Sequence, residues 1–352
     1  MIVLGSTGSI GVNTLRIAEE FGIDVEVLVA GNNVELLKEQ VARFKPRIVV
    51  SAKPADIDAP VVFSGEEGIL EALELAESRL VVNALVGFLG LRPTLRAIEL
   101  GKRVALANKE SLVVAGAFID KSAITPIDSE HFGLWYILQN SAKPKRLLIT
   151  ASGGALRDWP IERIASATLA DVLRHPNWSM GQKITIDSAT MVNKLFEMLE
   201  AYWLFGTQNI DALIEPSSLI HAAVEFADGS TLLHASRPDM RLPIAYAILG
   251  RVEREVVKPI DLLQSSFAFR PIDPARYAVW QIKEELLKHP KRGVVVNAAN
   301  EAAIARFLAG SFTFGDIAKA IIRAYEKFDV EPKSIEEIFT IDTEVRKYVE
   351  TL

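Results

Sequence analysis

Two stretches of the 352-residue chain gather oxygen ligands and charges at spacings that suit metal and phosphate chemistry. In Thr125-Pro126-Ile127-Asp128-Ser129-Glu130-His131, at the end of a predicted strand, Asp128 and Glu130 point the same way if the extended conformation continues, because side chains alternate across a strand. Two carboxylates on one side repel unless a cation or proton lies between them, and hard oxygen ligands suit Mg²⁺ or Mn²⁺. The same residues also read as a solvated loop, or as Asp128 capping a helix that starts at Glu130. His131 by itself reads as a hydrogen-bonded or surface residue. In Asp187-Ser188-Ala189-Thr190-Met191-Val192-Asn193-Lys194-Leu195-Phe196-Glu197, Asp187 or Ser188 suits a helix N-cap. Asn193 and Glu197 fall at i and i+4 on one helix face with Lys194 alongside, which offers a third carboxylate, an amide and a cation. A Lys194 to Glu197 surface pair is the plain alternative.

Three further segments could hold anions or close over them. Gly5-Ser6-Thr7-Gly8-Ser9-Ile10-Gly11 runs from a strand into a helix, where backbone N–H groups can receive a dinucleotide pyrophosphate. Its spacing puts Thr7 where the common fingerprint has its second glycine, and a turn that only closes a βαβ unit remains the alternative. The next strand ends at Ala30-Gly31-Asn32-Asn33 without the carboxylate that an NAD site offers to the ribose 2′-OH, which tilts the choice toward NADP. Asn33 also suits a helix N-cap there. Thr150-Ala151-Ser152-Gly153-Gly154-Ala155 follows a strand and can present N–H groups and a hydroxyl to phosphate, or serve as a simple turn. Arg174-His175-Pro176-Asn177-Trp178-Ser179-Met180-Gly181 reads as a loop with a large exposed aromatic, suited to a lid that excludes water, or as a segment with a core Trp.

The elements that position these groups follow an α/β pattern. Short β-branched runs (Ile2–Leu4, Val25–Val29, Arg47–Val50, Val61–Phe63, Leu80–Asn83, Arg103–Leu106) alternate with helical periods (Asn13–Phe21, Asn33–Phe44, Glu67–Ala76, Arg92–Leu100), as in βαβ units on a parallel sheet. Beyond them Ala123–Ile127, Arg146–Thr150, Ile184–Asp187, Ser218–Phe226 and Thr231–Ser236 read as strands of a mixed α+β region. From Tyr277 onward helices dominate: Val279–Lys288, Val296–Leu308, Thr313–Phe328 and Ile335–Glu350. The expected division is a Rossmann-like dinucleotide-binding domain over 1–124, a catalytic α+β domain over 125–262 and a connector with a C-terminal helical bundle over 263–352.

Composition narrows the function. A hydrophobic share of 49%, a charged share of 24% and a net charge of −6 describe an ordinary soluble globular chain with no footprint for nucleic acid or an anionic membrane. With no cysteine, disulfides, thiolate nucleophiles and Cys-based zinc sites are excluded. No secretory pattern opens the chain, and no apolar run approaches the roughly 18 to 20 residues of a membrane span. A soluble, cytoplasmic protein is expected.

Together with Ala107-Asn108-Lys109-Glu110-Ser111, Pro238-Asp239-Met240-Arg241-Leu242-Pro243-Ile244 and Asn297-Ala298-Ala299-Asn300-Glu301, these motifs resemble 1-deoxy-D-xylulose 5-phosphate reductoisomerases from the first strand to the helical tail. The resemblance implies skeletal rearrangement of a ketose phosphate followed by hydride delivery from NADPH, yielding 2-C-methyl-D-erythritol 4-phosphate for the non-mevalonate isoprenoid route. It implies that Asp128, Glu130 and Glu197 hold Mg²⁺ or Mn²⁺, with Co²⁺ admissible. It places Ser152, Ser188, Asn193 and Lys194 on the substrate phosphate, and Lys109, Ser129, Glu130, Glu197 and His175 around the reacting end, with Lys109, Glu130 and His175 as the catalytic set. Trp178 and Met180 would belong to the flap, and Thr7, Gly8, Ser9, Ile10, Gly31, Asn32, Asn33, Asn108, Glu110 and Gly181 would bind NADPH. Asn32 departs from the Lys common in that family, and Ala151 replaces a glycine of the phosphate turn. A homodimer is also implied. The rival readings are a semialdehyde-type NAD(P)-dependent dehydrogenase using Lys109 or His175 as acid/base, and a dinucleotide-sensing regulator without catalysis.

Overall fold

The computed structural model describes residues 1–139 and 142–352. In chain order the elements are β1 (Ile2–Leu4), α1 (Ser9–Glu20), β2 (Val27–Val29), α2 (Val34–Phe44), β3 (Ile48–Ser51), β4 (Val61–Ser64), α3 (Gly65–Leu75), β5 (Leu80–Asn83), α4 (Leu91–Glu99), β6 (Arg103–Leu106), α5 (Lys109–Ala115), β7 (Ile124–Pro126), α6 (Ser129–Leu138), β8 (Pro144–Ala151), α7 (Ile161–Ile164), α8 (Leu169–Val172), α9 (Gln182–Thr190), α10 (Val192–Phe205), β9 (Ile210–Ile214), β10 (Ile220–Phe226), β11 (Thr231–Ala235), α11 (Arg241–Leu249), α12 (Lys283–Lys288), α13 (Gly293–Leu308), α14 (Phe314–Lys327) and α15 (Ile335–Glu350). They group into two compact units. The first comprises Met1–Ser111, Ile119–Asp128 and Asp239–Lys258, and the second Leu112–Phe118, Ser129–Pro238 and Pro259–Leu352.

The first unit is built on a wholly parallel seven-stranded sheet in the order β4-β3-β2-β1-β5-β6-β7. The Val- and Ile-rich runs of β1, β2 and β3 are buried along their length, as strands covered on both faces must be. Strand order reverses between β1 and β5, which opens a crevice at the carboxyl ends of the strands beside the β1–α1 loop. This is the expected Rossmann-like architecture. Asn33 does cap α2, its Oδ1 accepting the Leu36 N–H at 3.2 Å. Helix α11 joins this unit from far along the chain because Ile244, Ala245 and Ile248 complete an apolar cluster with Leu15, Ile17 and Ala18 of α1. Arg254 lies over the Phe21 ring at 3.7 Å. The contacts therefore do not divide at 124 and 262: apolar matching carries Asp239–Lys258 out of the central stretch of sequence and into the first unit.

In the second unit β8 is parallel to β9 and antiparallel to β10, giving a mixed sheet in the order β11-β10-β8-β9. Helices α13, α14 and α15 pack together over the apolar side chains of Val294, Val295, Ile304, Ile317, Ile321 and Val345, so the expected helical C-terminal bundle is present. The strand expected over Ile184–Asp187 is instead the middle of α9. Alternating β-branched residues mimic a strand there, but Thr185, Ile186 and Ala189 are buried as one helical surface and Thr185 Oγ1 donates back to the Gly181 carbonyl at 2.8 Å.

Candidate functional site

The glycine loop of the first unit is closed by backbone contact. Gly5 adopts φ +85, and a Cβ on Gly11 would stand 2.2 Å from the Gly5 carbonyl oxygen, so only glycine lets α1 approach β1 this closely. The Gly5 and Ser6 N–H groups both donate to the Val29 carbonyl at 2.8 Å. Gly8 and Ser9 are exposed, and the first turn of α1 has no side-chain cap, which leaves its N–H groups directed outward. Gly31, Asn32 and Asn33 follow β2 as an exposed, uncharged run.

Asn108 is almost wholly buried and committed to scaffolding. Its Nδ2 donates to the carbonyls of Leu85 (2.9 Å) and Gly87 (2.8 Å) and to Glu110 Oε2 (3.2 Å), while Oδ1 accepts from Ser111. Lys109, the first residue of α5, is paired with Asp128 at 2.7 Å, both side chains being buried. Strand β7 ends at Pro126 and α6 begins at Ser129, so the extended run that would align Asp128 with Glu130 does not continue. Glu130 sits in the first turn of α6, where helix geometry and not strand alternation aims its carboxylate.

Within the second unit, α6 and α10 bring Glu130 and Glu197 to one cation. Lys194 Nζ lies 3.0 Å from Glu130 Oε1 and also donates to Glu197 Oε2 and to the Thr150 carbonyl. Asn193 Nδ2 donates to Glu197 Oε1 at 2.5 Å, the i, i+4 relation expected on this face. Lys194 and Glu197 are buried, which overturns the surface-pair alternative. His131, also buried, places Nε2 2.9 Å from the Glu197 carbonyl oxygen and Nδ1 3.5 Å from Glu200, and so braces α10 behind the carboxylates.

The turn after β8 lies flat on α9. Gly153 and Gly154 have φ of +88 and +69, and a Cβ on Gly154 would meet the Ser188 carbonyl oxygen at 2.7 Å, so Ser152 and Ser188 belong to one surface. The turn forms despite Ala151. Asp187 and Ser188 are not N-caps, since α9 runs on to Thr190 and the break comes at Met191, in the left-handed region at φ 71. Asp187 is buried, accepting from Asn300 Nδ2 at 2.7 Å and paired with Lys183 at 2.8 Å. His175 Nε2 lies 2.9 Å from Ser152 Oγ, and its Nδ1 accepts the N–H groups of Asn177 (3.2 Å) and Trp178 (3.0 Å). Burial, with the Arg157 guanidinium nearby, lowers its pKa to about 4. Trp178 is half-buried, not fully exposed as expected, because its ring meets His221 edge-on at 6.2 Å.

This chain is 58% identical to the 1-deoxy-D-xylulose 5-phosphate reductoisomerase of Nautilia profundicola and 54% identical to that of Wolinella succinogenes, covering 100% of this chain and 99% and 100% of those proteins. Residues 1–116 match the family model for 1-deoxy-D-xylulose 5-phosphate reductoisomerase, 124–205 the model for its C-terminal domain, and 235–348 a further DXP reductoisomerase C-terminal domain. The chain belongs to the 1-deoxy-D-xylulose 5-phosphate reductoisomerase family. A DOX-P reductoisomerase crystallised with NADPH, fosmidomycin and magnesium superposes with a TM-score of 0.92 at 34% identity, covering 99% of this chain and 97% of that one. The Zymomonas mobilis reductoisomerase in complex with NADPH superposes at 0.88 with the same identity and coverage.

In the second unit, helices α6 and α10 bring Ser129, Glu130, Asn193, Lys194 and Glu197 into one hydrogen-bonded group, and the β8 turn meets His175 through Ser152 and α9 at Ser188. Two contributors carry no signal in the linear sequence. Arg157 donates to the carbonyls of Ser152 (2.7 Å) and Pro216 (3.1 Å), and Glu215 organises the loop before β10; neither stands in a motif that announces it. Among the described residues, no helix is long and apolar enough to cross a membrane.

Proposed function

We propose that this protein converts 1-deoxy-D-xylulose 5-phosphate to 2-C-methyl-D-erythritol 4-phosphate in an NADPH- and divalent-metal-dependent rearrangement and reduction. The observation that carries the reading is the gathering of Glu130 and Glu197 around one ammonium beside the Ser152 and Ser188 surface, in a chain 58% identical to a named reductoisomerase. An acidic pair that already requires a cation suits Mg²⁺ or Mn²⁺, with Co²⁺ admissible, and Asp128, two residues before Glu130, would complete the ligand set. Exposed Gly8 and the uncapped first turn of α1 suit a pyrophosphate, so Thr7, Gly8, Ser9 and Ile10 would hold NADPH, with Gly31, Asn32 and Asn33 near its 2′-phosphate and Asn108, Glu110 and Gly181 completing the set. The structure of Asn108 favours a shaping role for its side chain, whose amide is already bonded.

When bound, the metal polarises the carbonyl and hydroxyl oxygens of the ketose and the nicotinamide supplies the hydride. The chain's own residues divide the remaining work. Lys194, Asn193, Ser152 and Ser188 fix the phosphate, so that binding energy from this non-reacting end orients the carbonyl end. Lys109, Ser129, Glu130 and His175 line the reacting end. Trp178 and Met180 cover it and exclude water, which strengthens every charge interaction beneath them. A homodimer is supported by β11, an edge strand on which Leu232 is 50% and Leu233 47% exposed. A reducing cytoplasmic setting is consistent with the lack of cysteine. Family membership sets aside the semialdehyde dehydrogenase and regulator readings.

The test follows NADPH absorbance with 1-deoxy-D-xylulose 5-phosphate, with and without Mg²⁺ or Mn²⁺, in the wild type and Glu197→Gln. Metal-dependent oxidation that falls by about a hundredfold or more in a folded variant is expected. A wild type inert under every metal would overturn the reading and direct the search to semialdehydes.

A further inference from the structure

Asn177 stands inside the segment proposed as the flap and is not among the residues assigned above to substrate, metal or cofactor. Its Nδ2 donates to the Pro216 carbonyl and to Ser218 Oγ, both at 2.8 Å. The loop that receives it is held from below by Glu215, 1% exposed, whose carboxylate accepts from the N–H (3.0 Å) and Oγ (2.7 Å) of Ser217 and from the N–H groups of Leu219 (2.9 Å) and Ile220 (3.2 Å). These bonds hold Ser218 at φ 57, in the left-handed region that a serine rarely enters. Arg157 reaches the same Pro216 carbonyl and the Ser152 carbonyl, so one rigid loop anchors both the flap segment and the glycine turn.

That anchorage has a consequence for hydrogen-bond direction. Two N–H groups, of Asn177 and Trp178, point at His175 Nδ1, which must therefore present its lone pair and leave the ring proton on Nε2. Nε2–H then donates to Ser152 Oγ at 2.9 Å, and the Gly154 N–H donates to the same oxygen at 3.1 Å. A hydroxyl has two acceptor lone pairs and one hydrogen. With both lone pairs engaged, the Ser152 hydrogen can only be offered outward, as a donor.

We propose that Asn177 is a positioning residue: by tying the 175–178 turn to the Pro216–Ser218 loop it sets the His175 tautomer, and through it makes Ser152 a fixed donor toward an acceptor-only phosphate dianion. The proposal rests on the reading of Ser152 as a phosphate contact. Burial and the Arg157 guanidinium, which lower the His175 pKa, keep the ring neutral, as a single tautomer requires.

The experiment records long-range ¹H–¹⁵N spectra of the histidine rings in the full-length protein at neutral pH without ligand, with the His175 signals identified by their loss in His175→Gln. The wild type is expected to show His175 protonated at Nε2 only. Asn177→Asp, nearly isosteric but without the amide donor, is expected to give a mixture of tautomers and to lower kcat/KM for the ketose phosphate roughly tenfold, with thermal unfolding little changed. Ser218→Ala, which removes one of the two acceptors, is expected to shift the spectrum the same way by less. A wild-type His175 protonated at Nδ1, or an Asn177→Asp spectrum like that of the wild type, would overturn the proposal. Because the spectra need no substrate, the tautomer they show is independent of whether the ketose phosphate is turned over.

Discussion

Lys194 Nζ is held 3.0 Å from Glu130 and against Glu197, so one ammonium offsets only part of the charge of two carboxylates, Glu197 buried and Glu130 partly exposed. A divalent ion held by those carboxylates would supply the charge balance that the ammonium only partly provides, which would leave Lys194 to the substrate phosphate. Lys194→Gln therefore separates two functions. Mn²⁺ affinity, read as free Mn²⁺ by electron paramagnetic resonance, is expected to hold or to tighten severalfold, while KM for the sugar phosphate rises more than about tenfold. Loss of both together would make the ammonium part of the metal site itself.

The glycines of the first loop differ in what they serve. A Cβ on Gly11 meets backbone atoms at 2.2 to 2.7 Å, whereas one on Gly8 has only the Gly5 carbonyl oxygen at 3.4 Å. Gly11→Ala is expected to cost about 2 kcal/mol or more of folding stability, because backbone cannot step aside as a side chain can. Gly8→Ala should unfold within a degree or two of the wild type but bind NADPH roughly tenfold more weakly, since its methyl would enter the space proposed for the pyrophosphate. Thermal scans with fluorescence titration check both.

Cofactor choice is predicted to turn on one exposed position. On the proposed cofactor site, Asn32→Asp would put a carboxylate beside the ribose 2′ substituent, repelling a 2′-phosphate and accepting from a 2′-OH. The ratio of kcat/KM for NADPH over NADH should fall about tenfold or more, and the effect should weaken as salt rises because the residue is exposed. An unchanged ratio would place the 2′ position elsewhere.

Acid stability carries a signature of two histidines. Burial lowers the pKa of both His175 and His234 from 6.5 to about 4, with Arg157 adding to the first and His221 to the second. Between about pH 6.5 and 4 the unfolded chain binds the more protons, so stability rises with pH across that window. The contribution is present in full above 6.5 and is lost progressively as pH falls to 4. His234→Gln should flatten the dependence of the urea midpoint over this interval by roughly half. An unaltered slope would show that His234 is not among the titrating groups.

What could be read from the sequence was what neighbours in the chain decide. Short apolar runs rich in β-branched residues, set off by Gly, Pro or charged turns, located the strands β1 to β6 and the helices between them, since a βαβ series on a buried parallel sheet is marked by local composition and by turn residues. The i, i+4 placement of Asn193 and Glu197 is likewise a property of one helix. Motif order carried the family, and with it the candidate ligands.

Tertiary structure decided what depends on partners distant in sequence. Residues 184–187 have strand-like side chains but form helix α9, where Asp187 finds Asn300 more than a hundred positions away and ceases to be a cap. Asp239–Lys258 joins the first unit because an apolar face on α11 matches α1, a pairing that no local pattern announces. The proton on His175 is placed by backbone N–H groups whose positions follow from Asn177 bonding a loop some forty residues on. Hydrogen-bond direction and apolar closure are properties of neighbours in space, and a linear pattern fixes them only where those neighbours are also close in the chain.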